Sequence, residues 1–403
     1  MKKTFAILFT VVLLVSSTVT ACDGNATKGK LLIFDNYPEA RLLAISPVSP
    51  TGVVSELPSA NKDRWLWFSV SPDRETLIFV KTSGGPEVSL SPRPSVRLVI
   101  YKTQSLSSPI TLEVPENVTY SLGDGFISVF PMWLGEDMFL LIAREGGYNP
   151  NQDYSKNLGL YKVNVSEQSF EFVKTVPIVN QAFYNNCFDC VLPDLSKVSM
   201  IEGNLEHFSI YDTRTQTLTD FEIIGLPDTF ATWTPDGKNL VYMTQMRDDQ
   251  LCLIKVSVDG DDIQSRAVFC PELQALSSER MYHHSTELHW SPDGKYLAIN
   301  IDANFGLLTS GTELYETYLY VLRMDSDHPE VSKIYSSPSG AVTWSSDSRK
   351  LAFVATTPGE RTEIYTVNRD GTDLTMVYTN PEWDDAITNP TIKGVPEIVG
   401  WLK

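Results

Sequence analysis

A short segment that recurs along the chain constrains the fold more than any other feature of the sequence. Its clearest copies are ATWTPDGKNLVYM (231–243), LHWSPDGKYLAIN (288–300) and VTWSSDSRKLAFV (342–354). In the first two copies a Pro-Asp-Gly turn joins two apolar runs. Proline fixes φ, aspartate accepts backbone N–H groups and glycine adopts positive φ, so the segment predicts a β-hairpin.

Three weaker copies extend the repeat over most of the chain, at 68–80, 131–143 and 190–201. Aligned on the tryptophan position, the six copies are 63, 58, 42, 57 and 54 residues apart, and Trp401 follows 57 residues later. A third strand and usually a fourth follow each hairpin, with almost no helical periodicity. The residues assigned to the repeated turn are Pro72, Asp73, Pro235, Asp236, Gly237, Pro292, Asp293, Gly294 and Asp347.

Repeated four-stranded antiparallel units of this length predict an all-β fold, a seven-bladed β-propeller. The last copy of the repeat stops after its first strand, and GKLLIF, ARLLAIS and VVSEL near the N-terminus supply the other three. The seventh blade would therefore pair strands from both chain ends, which removes exposed strand edges. The unit beginning near Val191 is short, and a count of six or eight blades would require that this unit or a long loop is misassigned.

The repeated pattern, sharpest at 234–238 and 291–295, resembles the WD-like Pro-Asp repeats of the TolB propeller and of the prolyl oligopeptidase and dipeptidyl peptidase IV family. This resemblance implies the fold but not the function, because the motif residues build a turn and not a site. The sequence departs from TolB in showing no separate N-terminal α/β domain. It departs from the peptidases in having no G-x-S-x-G elbow, so acyl transfer is not supported.

The first residues are typical of an export signal. Two lysines precede an apolar run that is too short to span a bilayer. Val19-Thr20-Ala21-Cys22 resembles a lipoprotein lipobox, and the alternative is an ordinary signal peptide with a chance cysteine. We expect a protein anchored only by its lipid, on the outer side of the cytoplasmic membrane or in the periplasm, within the cell envelope. The expected divisions are a signal peptide (1–21), a linker after lipidated Cys22 (22–28) and one propeller domain (29–403).

The formal net charge of the chain is −18, and an acidic surface repels phosphate backbones. Nucleic acid is therefore an unfavourable partner. Charge at this density is also typical of a well-solvated surface, and we expect a monomer.

Four cysteines follow Cys22. Cys252 and Cys270 lie at equal distances from position 261, where DGDD predicts a hairpin turn. Opposite residues of an antiparallel hairpin are equidistant from its turn, so these two are predicted to form a disulfide. Export to an oxidising compartment favours the bond, and the alternative is two reduced apolar residues. Cys187 and Cys190 have C-x-x-C spacing ahead of a strand, which favours a local disulfide over a redox or zinc site.

The histidines do not form a clear metal site. His283 and His284 are adjacent in SSERMYHHSTE, which we interpret as a solvated loop. Neighbouring residues of an extended segment point to opposite faces, which is poor geometry for one ion. We therefore predict no metal and no cofactor.

Long insertions fall in two connection classes that share one face of a propeller. These are the loops between second and third strands and the crossings between blades, at 81–95, 145–157, 302–316, 270–287 and 380–397. Long loops clustered on a rigid scaffold are typical recognition surfaces, although they can also be tolerated insertions. The candidate ligand-binding residues on them are Tyr148, Tyr154, Tyr282, His283, Phe305, Tyr315 and Trp383.

The leading hypothesis is a lipid-anchored propeller that binds a protein, peptide or glycan and is not an enzyme. One alternative is a propeller enzyme, such as a metal-dependent lyase or a hydrolase acting on a cell-surface polymer. It would place carboxylates and His283 or His284 at the mouth of the central channel. A second alternative is a structural envelope component that works through oligomerisation.

Overall fold

The computed structural model describes residues 30–401 except for a set of internal segments, and every element in the described part is a β-strand. This part of the chain contains no apolar helix of membrane-spanning length. The expected signal peptide, Cys22, Cys187 and Cys190 lie outside it. The segments left out are 36–40, 47–48, 57–63, 83–95, 104, 116–129, 135–137, 145–156, 178–190, 193, 202–206, 223, 228–230, 247–249, 260–261, 273–282, 308–312, 327–328, 337–338, 357–361 and 380–396.

The described strands form seven antiparallel sheets, numbered here from the one that holds both chain ends. Sheet one contains β28 (Glu397–Trp401), β1 (Leu31–Asp35), β2 (Arg41–Ser46) and β3 (Ser49–Glu56). Sheet two contains β4 (Arg64–Val70), β5 (Thr76–Thr82), β6 (Val96–Lys102) and β7 (Ser105–Glu113). Sheet three contains β8 (Phe130–Trp133), β9 (Met138–Arg144), β10 (Asn157–Asn164) and β11 (Ser169–Pro177). Sheet four contains β12 (Lys197–Ile201), β13 (His207–Asp212) and β14 (Thr217–Glu222).

The remaining three sheets carry the clearest copies of the repeat. Sheet five contains β15 (Leu226–Pro227), β16 (Thr232–Trp233), β17 (Asn239–Gln245), β18 (Leu251–Asp259) and β19 (Asp262–Phe269). Sheet six contains β20 (His283–Trp290), β21 (Tyr296–Leu307), β22 (Glu313–Arg323) and β23 (Glu330–Ser336). Sheet seven contains β24 (Ser339–Trp344), β25 (Lys350–Thr356), β26 (Thr362–Asn368) and β27 (Thr375–Thr379).

Sheet one joins the two chain ends as the sequence predicts, since β28 pairs with β1 and places Leu31 opposite Trp401. Six of the sheets are four-stranded antiparallel units. Sheet five is counted among them because β15 and β16 both pair with β17 and are two parts of one interrupted innermost strand. Sheet four has three strands in the described part of the chain, and Val191 forms an isolated bridge with Val198. Residues 178–190, which precede Val191, lie outside the described residues, so the fourth strand predicted for this sheet stays a prediction.

Neighbouring sheets pack against one another in ring order. Buried apolar clusters join sheets two and three, four and five, five and six, six and seven, and seven and one. Between sheets three and four, the Lys174 ammonium donates a hydrogen bond to the carbonyl of Thr213. Between sheets one and two, Arg74 donates to the carbonyl of Trp401, at 2.9 Å. The ring is closed, and this arrangement is a β-propeller.

The repeated turn has the same hydrogen bonds in its clear copies. In sheet six the Ser291 hydroxyl and the Lys295 N–H both donate to Asp293 Oδ1, at 2.6 and 3.1 Å. Sheets five and seven repeat this pattern around Asp236 and Asp347. Glycine is not essential, since Arg74, Leu195 and Ser348 hold the positive-φ position in other copies, at φ values of 63°, 59° and 59°. The aspartate therefore defines the turn more than the glycine does.

The tryptophan position links neighbouring sheets. Trp344 Nε1 donates to the carbonyl of His289 in sheet six, and Trp133 Nε1 donates to the Ser69 hydroxyl in sheet two, both at 2.9 Å. The buried indole N–H groups of Trp290 and Trp401 have no hydrogen-bond partner among the described residues. These two rings therefore stabilise the ring of sheets through apolar contact.

The turn of sheet six has room only for glycine at position 294, because Pro235 of the neighbouring sheet lies close to it. Gly294 has a φ of +69°, and a Cβ there would lie 3.0 Å from Cβ of Pro235 in sheet five. Gly294→Ala is therefore expected to lower the free energy of unfolding by about 2 kcal/mol, combining backbone strain and overpacking. Urea unfolding measures the change. Gly371→Ala is the control, because φ is +84° but the nearest atom lies 3.7 Å away, and an equal loss there would contradict the contact argument.

The predicted disulfide between Cys252 and Cys270 is confirmed, with an S–S distance of 2.06 Å. Near the hairpin turn, Asp259 faces Asp262 and Ile254 faces Ala267. Continued unchanged, this register would place Cys252 opposite Phe269 instead of Cys270. A bulge between Leu253 and Ile254 supplies the extra residue, so Leu253 faces Phe269. The cysteines then come opposite each other.

Candidate functional site

The strand directions divide the ring into two ends. Connections from first to second strands are the repeated turns, and we call the end that holds them the turn end. Connections from second to third strands and the crossings between sheets lie at the opposite end, the loop end. The long insertions predicted for one face belong to these two classes, and most of their residues lie outside the described part of the chain.

Three of the seven candidate residues fall in strands of sheet six. His283 begins β20, Phe305 lies in β21 and Tyr315 lies in β22. Asn304 pairs with both His283 and Tyr315, so the backbone brings these residues into one row at the loop end. The other four candidates, Tyr148, Tyr154, Tyr282 and Trp383, lie outside the described residues.

Sheet six projects beyond its neighbours at the loop end. The second strands of sheets two, three, five and seven have seven residues each, whereas β21 has twelve. Aligned on the tryptophan position, Thr356 at the end of β25 corresponds to Asp302, so β21 continues for 303–307, or about 17 Å. We call 303–307 with 313–316 the arm. The interpretation as loop was wrong for 302–307, 313–316 and His283–His284, because these residues belong to strands. Residues 308–312 lie outside the described part of the chain.

Below the arm, three polar residues lie together on one face of sheet six. His289 Nε2 is 3.3 Å from Glu287 Oε2, and Asn300 is opposite Glu287 and donates a hydrogen bond to its carboxylate. The side chains of His289 and Glu287 are 37% and 48% exposed, whereas Asn300 is buried. Leu288 and Trp290 alternate with them and pack toward sheet five, so Glu287 and His289 lie on the opposite face of the innermost strand. We call Glu287, His289 and Asn300 the polar wall.

The polar wall favours a charged carboxylate. The hydrogen bond and positive charge of His289, with the hydrogen bond from Asn300, lower the pKa of Glu287 from its ordinary 4.5, although desolvation opposes them. The wall can therefore accept hydrogen bonds from a hydroxyl or ammonium group. Sequence reasoning missed Glu287 and Asn300, although alternation in ELHW placed Glu287 and His289 on the face opposite Leu288 and Trp290.

This lowered pKa gives a testable pH dependence. A carboxyl group whose pKa is lower in the folded state stabilises the protein above its ordinary pKa, and the contribution is lost as pH falls through the folded value. Glu287→Gln is therefore expected to reduce the fall in melting temperature between about pH 6 and pH 3. Glu330→Gln, on the outermost strand of the same sheet, is the matched control. An unchanged pH profile for Glu287→Gln would contradict the assignment.

The described residues contain no group of three or more His, Cys, Asp or Glu side chains that could hold a metal ion. The side chains of His283 and His284 lie outside the described part of the structure, so the carboxylates that the enzyme alternative expects beside them stay a prediction. What the described site offers is hydrogen bonding and negative charge on a rigid sheet.

Comparison with known proteins gives the fold. No protein-family model matches the sequence. No curated protein matches it closely enough to be reported as a relative. A hypothetical selenium-binding protein from Sulfolobus tokodaii is similar in structure, with a TM-score of 0.53, 11% identity and coverage of 94% of this chain and 93% of that one. The β-propeller predicted from the Pro-Asp repeats is thereby confirmed.

Two further similarities involve the proteins whose repeats the sequence resembles. TolB from Acinetobacter baumannii matches with a TM-score of 0.43 and 13% identity, over 94% of this chain and 67% of TolB. Prolyl oligopeptidase B from Galerina marginata matches with a TM-score of 0.50 and 9% identity, over 86% of this chain. The match spans 48% of the peptidase, about half its length.

Proposed function

We propose that this protein is an exported, lipid-anchored β-propeller that binds a protein, peptide or glycan at its loop end and performs no chemistry. Counting sheet four as a seventh blade is part of the proposal. The disulfide between Cys252 and Cys270 is consistent with an extracytoplasmic protein, and the lipobox-like segment ending at Cys22 supports the anchor.

One observation carries the proposal, the contrast between the two ends of the ring. At the turn end, neighbouring turns contact each other, as where the Asp293 N–H donates to the Ser348 hydroxyl at 3.1 Å. At the loop end, sheet six extends its arm beyond the ends of the neighbouring second strands. A rigid scaffold with projecting elements at one end is typical of a binding protein.

The proposal is tested by replacing Tyr154, Tyr282 and Trp383 together with alanine. The triple variant is expected to capture at least tenfold less partner from cell-envelope extract than the wild type, because large aromatic side chains dominate binding energy. Its melting temperature should stay within about 2 °C of the wild type, since the sequence predicts these residues in loops and substitutions away from a packed core rarely change stability much. Unchanged capture by the triple variant would overturn the site assignment.

The second candidate function is a propeller enzyme acting on a cell-surface polymer. The contact between the Glu287 carboxylate and the His289 imidazole favours it, because such pairs serve in general acid–base catalysis. The test is incubation of purified protein with envelope polysaccharide and peptidoglycan, with measurement of new reducing ends and elemental analysis for metal. Turnover that Glu287→Gln abolishes would replace the binding proposal.

A further inference from the structure

Among the described residues, part of the outer strand edge of sheet six has no neighbouring strand. β22 begins at Glu313, but its outer neighbour β23 first pairs with it at Tyr318, opposite Ser336. No described strand pairs with the outer edge of 313–316. The reason is topological, since the chain leaves β23 at Ser336 and begins the innermost strand of sheet seven at Ser339.

Other sheets do not leave such an edge. In sheets two to five and in sheet seven, the outermost strand reaches the third strand within two residues of where that strand begins. The first pairs there are Arg97 with Glu113, Asn157 with Pro177, His207 with Glu222, Leu253 with Phe269 and Glu363 with Thr379. In sheet one the first pair is Leu43 with Glu56, two residues into β2. The open edge of sheet six is therefore particular to the arm.

We infer that the outer edge of 313–316 binds an extended, basic peptide segment of a partner, which adds a strand to sheet six in line with β23. This inference rests on the proposed binding function and specifies its ligand. A free edge offers N–H and C=O groups in alternation, and an extended peptide satisfies them by antiparallel or parallel pairing. The added strand would continue the line of β23 beyond Ser336.

The charge of the edge segment indicates which charge the partner peptide should carry. The edge segment reads Glu-Leu-Tyr-Glu, so it brings Glu313 and Glu316 to a chain whose net charge is −18. Lys333, on β23 near the end of the edge, has its ammonium 4.5 Å from the centroid of the Tyr318 ring and is already engaged there. Like charges oppose strand pairing and opposite charges favour it. The two glutamates therefore disfavour pairing with a second copy of this acidic chain and favour a basic segment.

The probe is a capped ten-residue peptide of alternating lysine and valine, labelled for fluorescence anisotropy. Two further peptides serve as comparisons, one with glutamate in place of lysine and one with proline in place of valine. The lysine–valine peptide is expected to bind at least tenfold more tightly than either. Amide hydrogen exchange should slow in the segment that contains 313–316 when this peptide is added.

The glutamates are tested with a matched pair of variants. The double variant Glu313→Gln/Glu316→Gln is expected to bind the lysine–valine peptide about three- to tenfold more weakly than the wild type. Asp325→Asn/Glu330→Gln removes the same charge from the turn end of the same sheet, and it should change binding less than twofold. Both residues there form surface ion pairs with Arg323, which contribute little stability.

Three results would overturn the inference. They are equal binding of the three peptides, equal weakening by the two double variants, and exchange protection confined to other segments. If the aromatic triple variant loses envelope capture while the peptide gives one of these results, the proposed binding function stands and the edge assignment fails. If neither the envelope partner nor the peptide binds, both fail.

Discussion

Arg74→Ala is expected to lower the free energy of unfolding by about 3 kcal/mol. Arg74 occupies the positive-φ position of the turn in sheet two, with a φ of 63°. Its guanidinium donates to the carbonyl of Trp401 in sheet one at 2.9 Å and to the carbonyl of Trp344 in sheet seven at 3.1 Å. One side chain therefore ties three sheets together at the point where the chain ends meet.

The size of the effect follows from burial. Desolvation lowers the pKa of Arg74 from its ordinary value, although the nearby Asp347 carboxylate opposes this. Removing a charged donor loses about 1.5–3 kcal/mol per hydrogen bond when its acceptors are left without a partner. Arg74→Lys keeps the charge but not the planar set of guanidinium donors, so we expect its loss of unfolding free energy to be about half that of Arg74→Ala.

Arg214→Ala is the matched control for this prediction, measured by the same chemical unfolding. Arg214 lies in a turn of sheet four and pairs with Asp194 at 2.8 Å, but its side chain is 72% exposed. An exposed ion pair contributes about 0–1 kcal/mol. If Arg74→Ala loses no more stability than Arg214→Ala, the closure argument is wrong.

The sequence predicted the ring because its repeat is local. Trp, Pro and Asp at fixed spacing define a turn that each hairpin forms on its own, and Trp401 revealed the missing strands at the other chain end. The role of Arg74 could not be predicted in the same way. It stands where the copies in sheets five and six have glycine, and its partners lie 270 and 327 residues away, at positions that only the closed ring brings near.

The site was predictable only in part. The sequence places His283 on the 270–287 crossing and Phe305 and Tyr315 on the 302–316 insertion, whereas pairing through Asn304 brings His283 and Tyr315 into one row of sheet six. Gly306 and the polar residues around it obscured the strand in 302–316, because glycine is unfavourable in strand interiors and marks bulges. A register shift between Asn304 and Leu307 lies there.

Removing the disulfide of sheet five is expected to have a similarly large effect. Cys252→Ala/Cys270→Ala should lower the free energy of unfolding by about 3 kcal/mol, because the bond closes a loop with a sequence separation of 18 and restricts the unfolded chain. Thermal unfolding with and without dithiothreitol measures the effect. Cys252 is 1% exposed among apolar neighbours, so its truncation also costs some packing.

Reduced wild-type protein separates these two causes, because it loses the bond but keeps both side chains. If the bond dominates, reduction of the wild type should reproduce most of the loss in the double alanine variant. An effect of reduction below about 1 kcal/mol would contradict the prediction. The position of the bond also bears on binding. It fixes β19 at the point where the chain leaves sheet five toward β20, the strand that carries Glu287 and His289, so reduction should also weaken capture of a partner at the loop end.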